Sequence, residues 1–418
     1  MPGRRIQAIV DALKFDGPFH IVLPGGKTIR HGDGPPVFTL NVKTPAALRG
    51  IIFRSSLGFG NAYTRGEIDV EGDLQQVVLA SFAAREQNLK GAWWGRGRYL
   101  IEFLARANTL AGSKRNIAAH YDLSNEFYAL WLDQEMQYTC AYFAHADDTL
   151  EQAQRRKMDL VCRKLDLKAG DLVVEAGGGW GGLALHMARH WGVRVKSFNI
   201  SRSQVEYARE RAGRLGLGPE QVEYFLDDYR NIPRHVERCD KFASICMLEH
   251  VGRENYRAFH RLIGGLLRPG GLALLQFISR TRPSPISNPW LEKHVFPGYY
   301  NPSLGEVVGA LEALTKGLQV VDVENMRFHY ALTLRHWLDR FEQNAGRIGA
   351  RWGEAVVRTF RLYLNGGLAD FGHGRGTLIY QALLSNGCDN SAPLTRLRMF
   401  ESLQTEDRPA PAAELVLA

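Results

Sequence analysis

One run carries the first chemical signal: Val173-Val174-Glu175-Ala176-Gly177-Gly178-Gly179-Trp180-Gly181-Gly182. Two β-branched residues lead in as a buried strand does. An acid and a run of glycines follow, then Leu183, Leu185 and Met187 as the apolar positions of a helix. Strand, glycine turn and helix place a nucleotide-like ligand against a helix N-terminus. Glycine is needed where the chain turns sharply and the ligand lies almost on the backbone. Gly177, Gly179 and Gly182 satisfy G-x-G-x-x-G, a pattern shared with dinucleotide sites and with plain glycine turns. A dinucleotide fold calls for an acid about 20 residues on to hold the ribose. Here the next strand, 193–198, ends in Asn199-Ile200-Ser201. Glu175, just before the glycines, stands where a carboxylate can face an ammonium group. That suits S-adenosylmethionine (SAM), with its amino-acid end, better than a pyrophosphate.

A second dense stretch holds His120-Tyr121-Asp122-Leu123-Ser124-Asn125-Glu126-Phe127-Tyr128, then Met136-Gln137-Tyr138-Thr139-Cys140-Ala141-Tyr142-Phe143. A tyrosine-rich helix pair over a core is the plain alternative. Cys140 has no nearby His–Asn or His–Asp partner at a nucleophile spacing, and free cysteine is most often a small buried hydrophobe.

These residues need a scaffold, and from Thr149 the pattern is regular. Thr149 with Gln152, and Ser201 with Gln204, read as capping boxes opening helices to about 165 and 215. Strands are expected at 171–176, 192–200, 221–226, 241–247, 272–278, 320–326 and 377–385, with helices at 180–191, 254–267 and 331–344. Alternation of strand and helix argues an α/β fold with a doubly wound, mostly parallel seven-stranded sheet. Ligands of such sheets bind beyond the carboxyl ends of the strands. Those ends are 175–182, 199–204, Asp228-Tyr229, Glu249-His250 and 276–278, polar or glycine-rich for the most part.

Residues 1–105 read as a smaller N-terminal α+β domain that contacts a membrane or a second subunit, 106–403 as the catalytic domain, and 404–418 as a frayed Pro/Ala-rich tail. Within the first, 1–15 has the spacing of an amphipathic helix, 38–42 alternates as a strand, 46–53 is helical, and Gly58, Gly60 and Gly66 punctuate a turn-rich stretch. Residues 73–82 form a helix capped by Asp73. Lys90, Trp93, Trp94, Arg96 and Arg98 suit either a membrane interface or a packed linker. Proline-rich 280–305 reads as an ordered flap.

The chain has 418 residues, 45% hydrophobic and 23% charged, with no apolar run long enough to span a bilayer. Five scattered cysteines without a C-x-x-C pair indicate neither a disulfide framework nor a cysteine metal site, and fit a reducing cytoplasm. The net charge of +8 attracts polyanions. No basic block with interleaved aromatics argues for nucleic acid.

Taken together, these motifs resemble the cyclopropane-fatty-acid synthases and their mycolic-acid relatives. The marks include His120 to Asn125, Gln137 to Phe143, Glu175 to Gly182, Leu248-Glu249-His250-Val251-Gly252, Phe296-Pro297-Gly298-Tyr299, His329-Tyr330-Ala331-Leu332-Thr333-Leu334 and Arg361-Leu362-Tyr363-Leu364. The resemblance implies transfer of the SAM methyl to the cis double bond of an unsaturated phospholipid acyl chain. A carbocation forms, and loss of a proton from the incoming methyl closes a cyclopropane ring. It implies a cytoplasmic enzyme, peripheral at the inner face of an anionic membrane, with a homodimer plausible. It assigns Gly177, Gly179 and Trp180 to the methionine end of SAM, Asn199, Ile200 and Gln204 to the ribose, and Asp228 and Tyr229 to the adenine, with Tyr121 and Tyr138 from the N-terminal side. A bicarbonate base would be held by Cys140, Glu249, Gln276, Ile278 and Tyr330. Two departures stand out: Gly178 replaces the family's usual cysteine, and Gln276 its usual histidine. Loss of a different proton would leave a methyl or methylene branch. A lipid-binding protein without turnover and a dinucleotide oxidoreductase are the rival readings.

Overall fold

The computed structural model describes residues 7, 10, 14–88, 123–284, 287–312, 317–374, 376–387, 395–397 and 399–400. The chain divides into two compact units. The smaller takes the described parts of Met1–Arg106 together with Ile286–Pro297 and Leu334–Arg375; the larger takes the rest. The linear division at 105 and 403 does not contain those two later excursions. The expected helix over 1–15, the Lys90–Arg98 cluster and the tail fall wholly or mostly outside the described residues.

In the smaller unit, β1 (Phe19–Val22), β2 (Thr28–His31), β3 (Phe38–Val42) and β4 (Ile68–Gly72) form a sheet in the order β2-β1-β3-β4, with β1 and β3 parallel and the other pairs antiparallel. Only β3 was expected; the others are short and weakly alternating. The helix Leu74–Asn88 starts where Asp73 Oδ1 accepts the Gln75 N–H at 2.7 Å.

The turn-rich reading of Gly58 and Gly60 is corrected. Both lie within a helix, Pro45–Thr64, kinked at Ser55 (φ 47°). These glycines serve close approach. A Cβ on Gly58 would fall 1.9 Å from the Gly50 carbonyl oxygen, and one on Gly60 would fall 2.2 Å from the Trp290 ring. Arg358 closes the C-terminal end of that helix. Its guanidinium donates to the Tyr63 and Ile68 carbonyls and to Asp69, and lies 4.4 Å from the Tyr63 ring centre.

The larger unit holds β5 (Leu172–Ala176), β6 (Arg194–Asn199), β7 (Val222–Leu226), β8 (Cys239–Ile245), β9 (Leu267–Arg280), β10 (Leu318–Asn325) and β11 (Thr377–Asn386). Their order is β10-β11-β9-β8-β5-β6-β7, and β11 alone among them runs antiparallel to its neighbours. The seven-stranded, mostly parallel sheet of the sequence reading is present. Alternate residues enter opposite cores: Val173 and Leu274 join Met158, Val161 and Leu183 on one face, while Val174 and Leu275 join Phe242, Phe259 and Ile263 on the other. The residues between the expected helix 254–267 and strand 272–278 belong to β9, with a register shift against β8, and Gly270 (φ 77°) takes up the irregularity.

The capping box at Thr149 and Gln152 is formed. The one at Ser201 is not. Ser201 makes no side-chain cap, and Gln204 instead accepts from Asn199 at 2.8 Å. The side chain of Gln204 is drawn toward the strand end rather than back over its own helix.

Candidate active site

β5 ends at Ala176, and the glycines then do separate work. Gly177, Gly179 and Gly181 have φ of 85°, 52° and 83°, the left-handed region that side chains avoid. A Cβ on Gly178 would meet Ser197 Oγ at 2.0 Å, and one on Gly182 would meet the Gln137 amide at 2.4 Å. Gly179 has no atom within 4 Å of such a position, so its free side faces open space at the entrance to the helix Gly182–Trp191.

That space is a cavity of about 150 Å³ at the carboxyl ends of β5 to β8. It brings together Tyr138, Glu175, Gly177, Gly179, Trp180, Asn199, Ile200, Gln204, Asp228 and Tyr229, residues from widely separated stretches. Tyr121 lies outside the described residues.

Asn199 organises one wall. Its Nδ2 donates to the Gly179 carbonyl at 3.1 Å and to Gln204 Oε1 at 2.8 Å, and its Oδ1 accepts the Ser201 N–H at 3.1 Å. Trp180 Nε1 donates to Asn125 Oδ1 at 2.7 Å. Asp228 is buried, with Oδ1 accepting the Arg230 N–H at 3.0 Å. The Arg230 guanidinium lies 5.0 Å from the Tyr229 ring centre. Glu175 Oε2 accepts the Ser197 hydroxyl at 2.6 Å. Burial pushes its carboxyl up to about 7, against the opposing pull of Ser197 and of Lys157. A ligand ammonium would restore the charged form.

Cys140, Glu249, Gln276, Ile278 and Tyr330, the residues the resemblance assigns to a bicarbonate base, do not line that cavity. Around Glu249 the geometry is specific. Glu249 Oε1 accepts the Ile278 N–H at 2.5 Å. Its Oε2 is buried with no hydrogen-bond partner among the described residues. Burial raises this carboxyl to about 7, partly offset by the Ile278 N–H, so near neutrality a large share is protonated and can donate. Gln276 is fully buried. Cys140 is also fully buried, beside the Ala141 and Met326 carbonyls at 3.2 and 3.8 Å. Desolvation pushes its thiol far above the usual range, which removes it as a nucleophile. Tyr330 is buried on the helix Arg327–Gln343, and the Cys140 segment is pinned to that helix by Ala141 N–H on Thr333 Oγ1 (3.0 Å) and Phe143 N–H on His329 Nδ1 (3.1 Å).

Cys246, overlooked in the sequence, joins the two groups. It lines the cavity, its N–H donates to the Gln276 carbonyl at 2.7 Å, and its sulfur lies 3.5 Å from Gln276 Nε2. It sits at φ 53°, a left-handed conformation that costs a non-glycine residue about 1 kcal/mol or more. No sequence signal marks such a backbone. Lys157 was also missed. It is fully buried, donates to Gln137 Oε1 at 2.6 Å and Thr139 Oγ1 at 2.9 Å, and desolvation lowers its pKa to about 8. Its signal was readable: Leu150, Ala153, Lys157, Val161 and Lys164 share one helical stripe, so both lysines face inward.

A doubly wound sheet with a glycine turn and this cleft fits an S-adenosylmethionine-dependent methyltransferase, and the likeness to known proteins shows that class. A solved mycolic acid cyclopropane synthase, CmaA1, complexed with SAH and CTAB, matches at a TM-score of 0.60 and 29% identity, over 65% of this chain and 98% of that one. The family model for mycolic acid cyclopropane synthetase matches residues 109–380, and a model for a domain of unknown function matches 9–92. A probable fatty acid methyltransferase of Pseudomonas putida is 34% identical over 84% of this chain and 87% of its own. The cyclopropane-fatty-acyl-phospholipid synthase of Escherichia coli K12 is 31% identical over 85% of this chain and 90% of its own. The chain belongs to the mycolic acid cyclopropane synthetase family, and its methyl donor is SAM. No helix among the described residues is long and apolar enough to cross a membrane.

Proposed function

We propose that this enzyme transfers the methyl of SAM to the cis double bond of unsaturated acyl chains in phospholipids and closes a cyclopropane ring. The observation that carries this reading is a SAM-type cleft joined through Cys246 to Gln276, together with a buried carboxyl, Glu249, bonded to Ile278 and with one oxygen unpartnered among the described residues. The sulfonium is already a strong methyl donor, so the protein needs no nucleophile, in keeping with the protonated thiols of Cys140 and Cys246. What it must supply is dryness and placement, since water would trap the cation as an alcohol. Tyr138, Tyr229 and Tyr330 offer π faces that stabilise positive charge.

The residues present fit a small oxyanion such as bicarbonate. Glu249, in large part protonated near neutrality, has an oxygen with no partner among the described residues, and Gln276 has an amide. Bicarbonate bound there would supply the base that takes the proton; Glu249 and Gln276 would hold it, with Cys140, Ile278 and Tyr330 shaping the pocket. The charge of +8 supports attraction to an anionic membrane surface. Gln276 favours a second reading. An amide cannot take or carry a proton, so the cation could lose a different one and leave a methyl or methylene branch.

The test uses vesicles of unsaturated phospholipid and SAM labelled with carbon-13 in its methyl, with NMR of the extracted lipid. Upfield cyclopropane signals are expected. Label in vinylic or simple branched methyls establishes the second reading, and Gln276→His should then restore ring signals. Lipid without label refutes both.

A further inference from the structure

A line of buried polar side chains reaches Gln276. Lys164, at the end of the helix Leu150–Lys164, donates from Nζ to Glu324 Oε2 at 2.5 Å and to Gln381 Oε1 at 2.8 Å. Gln381 Nε2 donates to Gln276 Oε1 at 2.9 Å. Gln276 Nε2 lies 3.5 Å from Cys246 Sγ. Lys164, Gln381 and Gln276 are all fully buried, so water cannot substitute for a missing partner.

A glutamine amide can sit either way round, and only its neighbours decide. Here one neighbour has no choice. An ammonium carries three donors and no acceptor, so it admits only the oxygen of Gln381. The Gln381 nitrogen is then turned to Gln276 and admits only the Gln276 oxygen. The Gln276 NH₂ is left facing Cys246, the residue three positions before Glu249 that also lines the cavity. Reversing the line would set an NH₂ against the ammonium and leave donors unpaired in a dry interior.

We propose that Lys164, through Gln381, sets the direction of this line so that Gln276 shows hydrogen-bond donors, never its carbonyl, to the reaction centre. Lys164 and Gln381 are positioning residues, and the occupant they select beside Glu249 is a hydrogen-bond acceptor of the oxyanion class. The inference rests on the reading of the Glu249 cluster as that centre. It also gives the Lys164–Glu324 ion pair, half-buried at its carboxylate, a role: it holds the lysine in place.

The test compares Gln381→Glu with Gln381→Met. In Gln381→Glu the ammonium pairs with the new carboxylate, which has no donor for Gln276. The Gln276 amide must turn its NH₂ to that carboxylate and its carbonyl to the Cys246 thiol. Gln381→Met removes the link without imposing a direction. The first readout needs no turnover. The infrared S–H stretch of Cys246, assigned by its absence in Cys246→Ala, should move to lower frequency in Gln381→Glu, because the thiol becomes a donor. An unmoved band overturns the proposal. The second readout is methyl transfer to lipid: Gln381→Glu should lose at least about tenfold in kcat with KM for SAM unchanged, and more than Gln381→Met loses. Equal losses in the two variants would mean that direction is irrelevant, and would overturn it. Failure of the wild-type protein to methylate lipid would refute the proposed function, and the infrared band would still decide the orientation of Gln276.

Discussion

Replacing Glu249 by glutamine tests the electrostatics of the site without changing its shape. The Glu249 carboxyl is 4% exposed, and burial, which disfavours its charge, pushes it up from the ordinary 4.5 to about 7. A carboxyl raised in this way weakens the folded state once ionisation begins. Below 4.5 both states are protonated and nothing is lost. As pH rises from 4.5 to about 7 the unfolded chain ionises freely while the folded one does not, and stability falls; above about 7 the loss is complete. At about 1.4 kcal/mol per pH unit of difference, the whole effect is about 3 kcal/mol. Glu249→Gln removes it. The variant should therefore gain stability relative to wild type as pH rises, by between about 2 and 3 kcal/mol from pH 5 to 8.5. Glu175 titrates in the same window, but it is present in both proteins and cancels in the difference. Urea unfolding of both proteins across that range measures the gain. A difference that is flat with pH, or that favours the wild type at alkaline pH, would refute the argument that burial without compensation sets this carboxyl. The same experiment bears on activity. If protonated Glu249 donates to an anion, wild-type methyl transfer should fall above about pH 7, and Glu249→Gln should lose that alkaline limb.

Gly179→Val places a β-branched residue at φ 52° and aims it into the cavity, so SAM affinity should drop by more than about tenfold; calorimetry that shows unchanged affinity would remove this turn from the SAM pocket. Gly60→Ala puts a methyl 2.2 Å from the Trp290 ring and should destabilise the protein by about 1–3 kcal/mol in urea unfolding, while SAM binding is unchanged.

Local chemistry determined much of what could be read from the residues in order. Alternation of apolar strands with helical stripes is a property of neighbouring residues, so the seven-stranded sheet and its carboxyl-end loops were legible before any coordinates. The cavity at the strand ends followed, because in a doubly wound sheet every such loop opens on the same edge, and ten of the residues named for SAM line it. What failed were the readings that depend on distant partners. Gly58 and Gly60 looked like turn residues, yet they lie inside a helix and are glycines because Gly50 and Trp290 lie against them. Ser201 with Gln204 had the pattern of a capping box, yet Asn199 holds Gln204 elsewhere. The smaller unit recruits segments beyond residue 285 that no linear boundary could include. Above all, the direction of the Gln276 amide is decided by Lys164, 112 positions earlier in the chain, acting through Gln381, 105 positions later. A hydrogen bond depends on which atoms meet in space, and only the folded sheet with its packed helix brings those three side chains into one line.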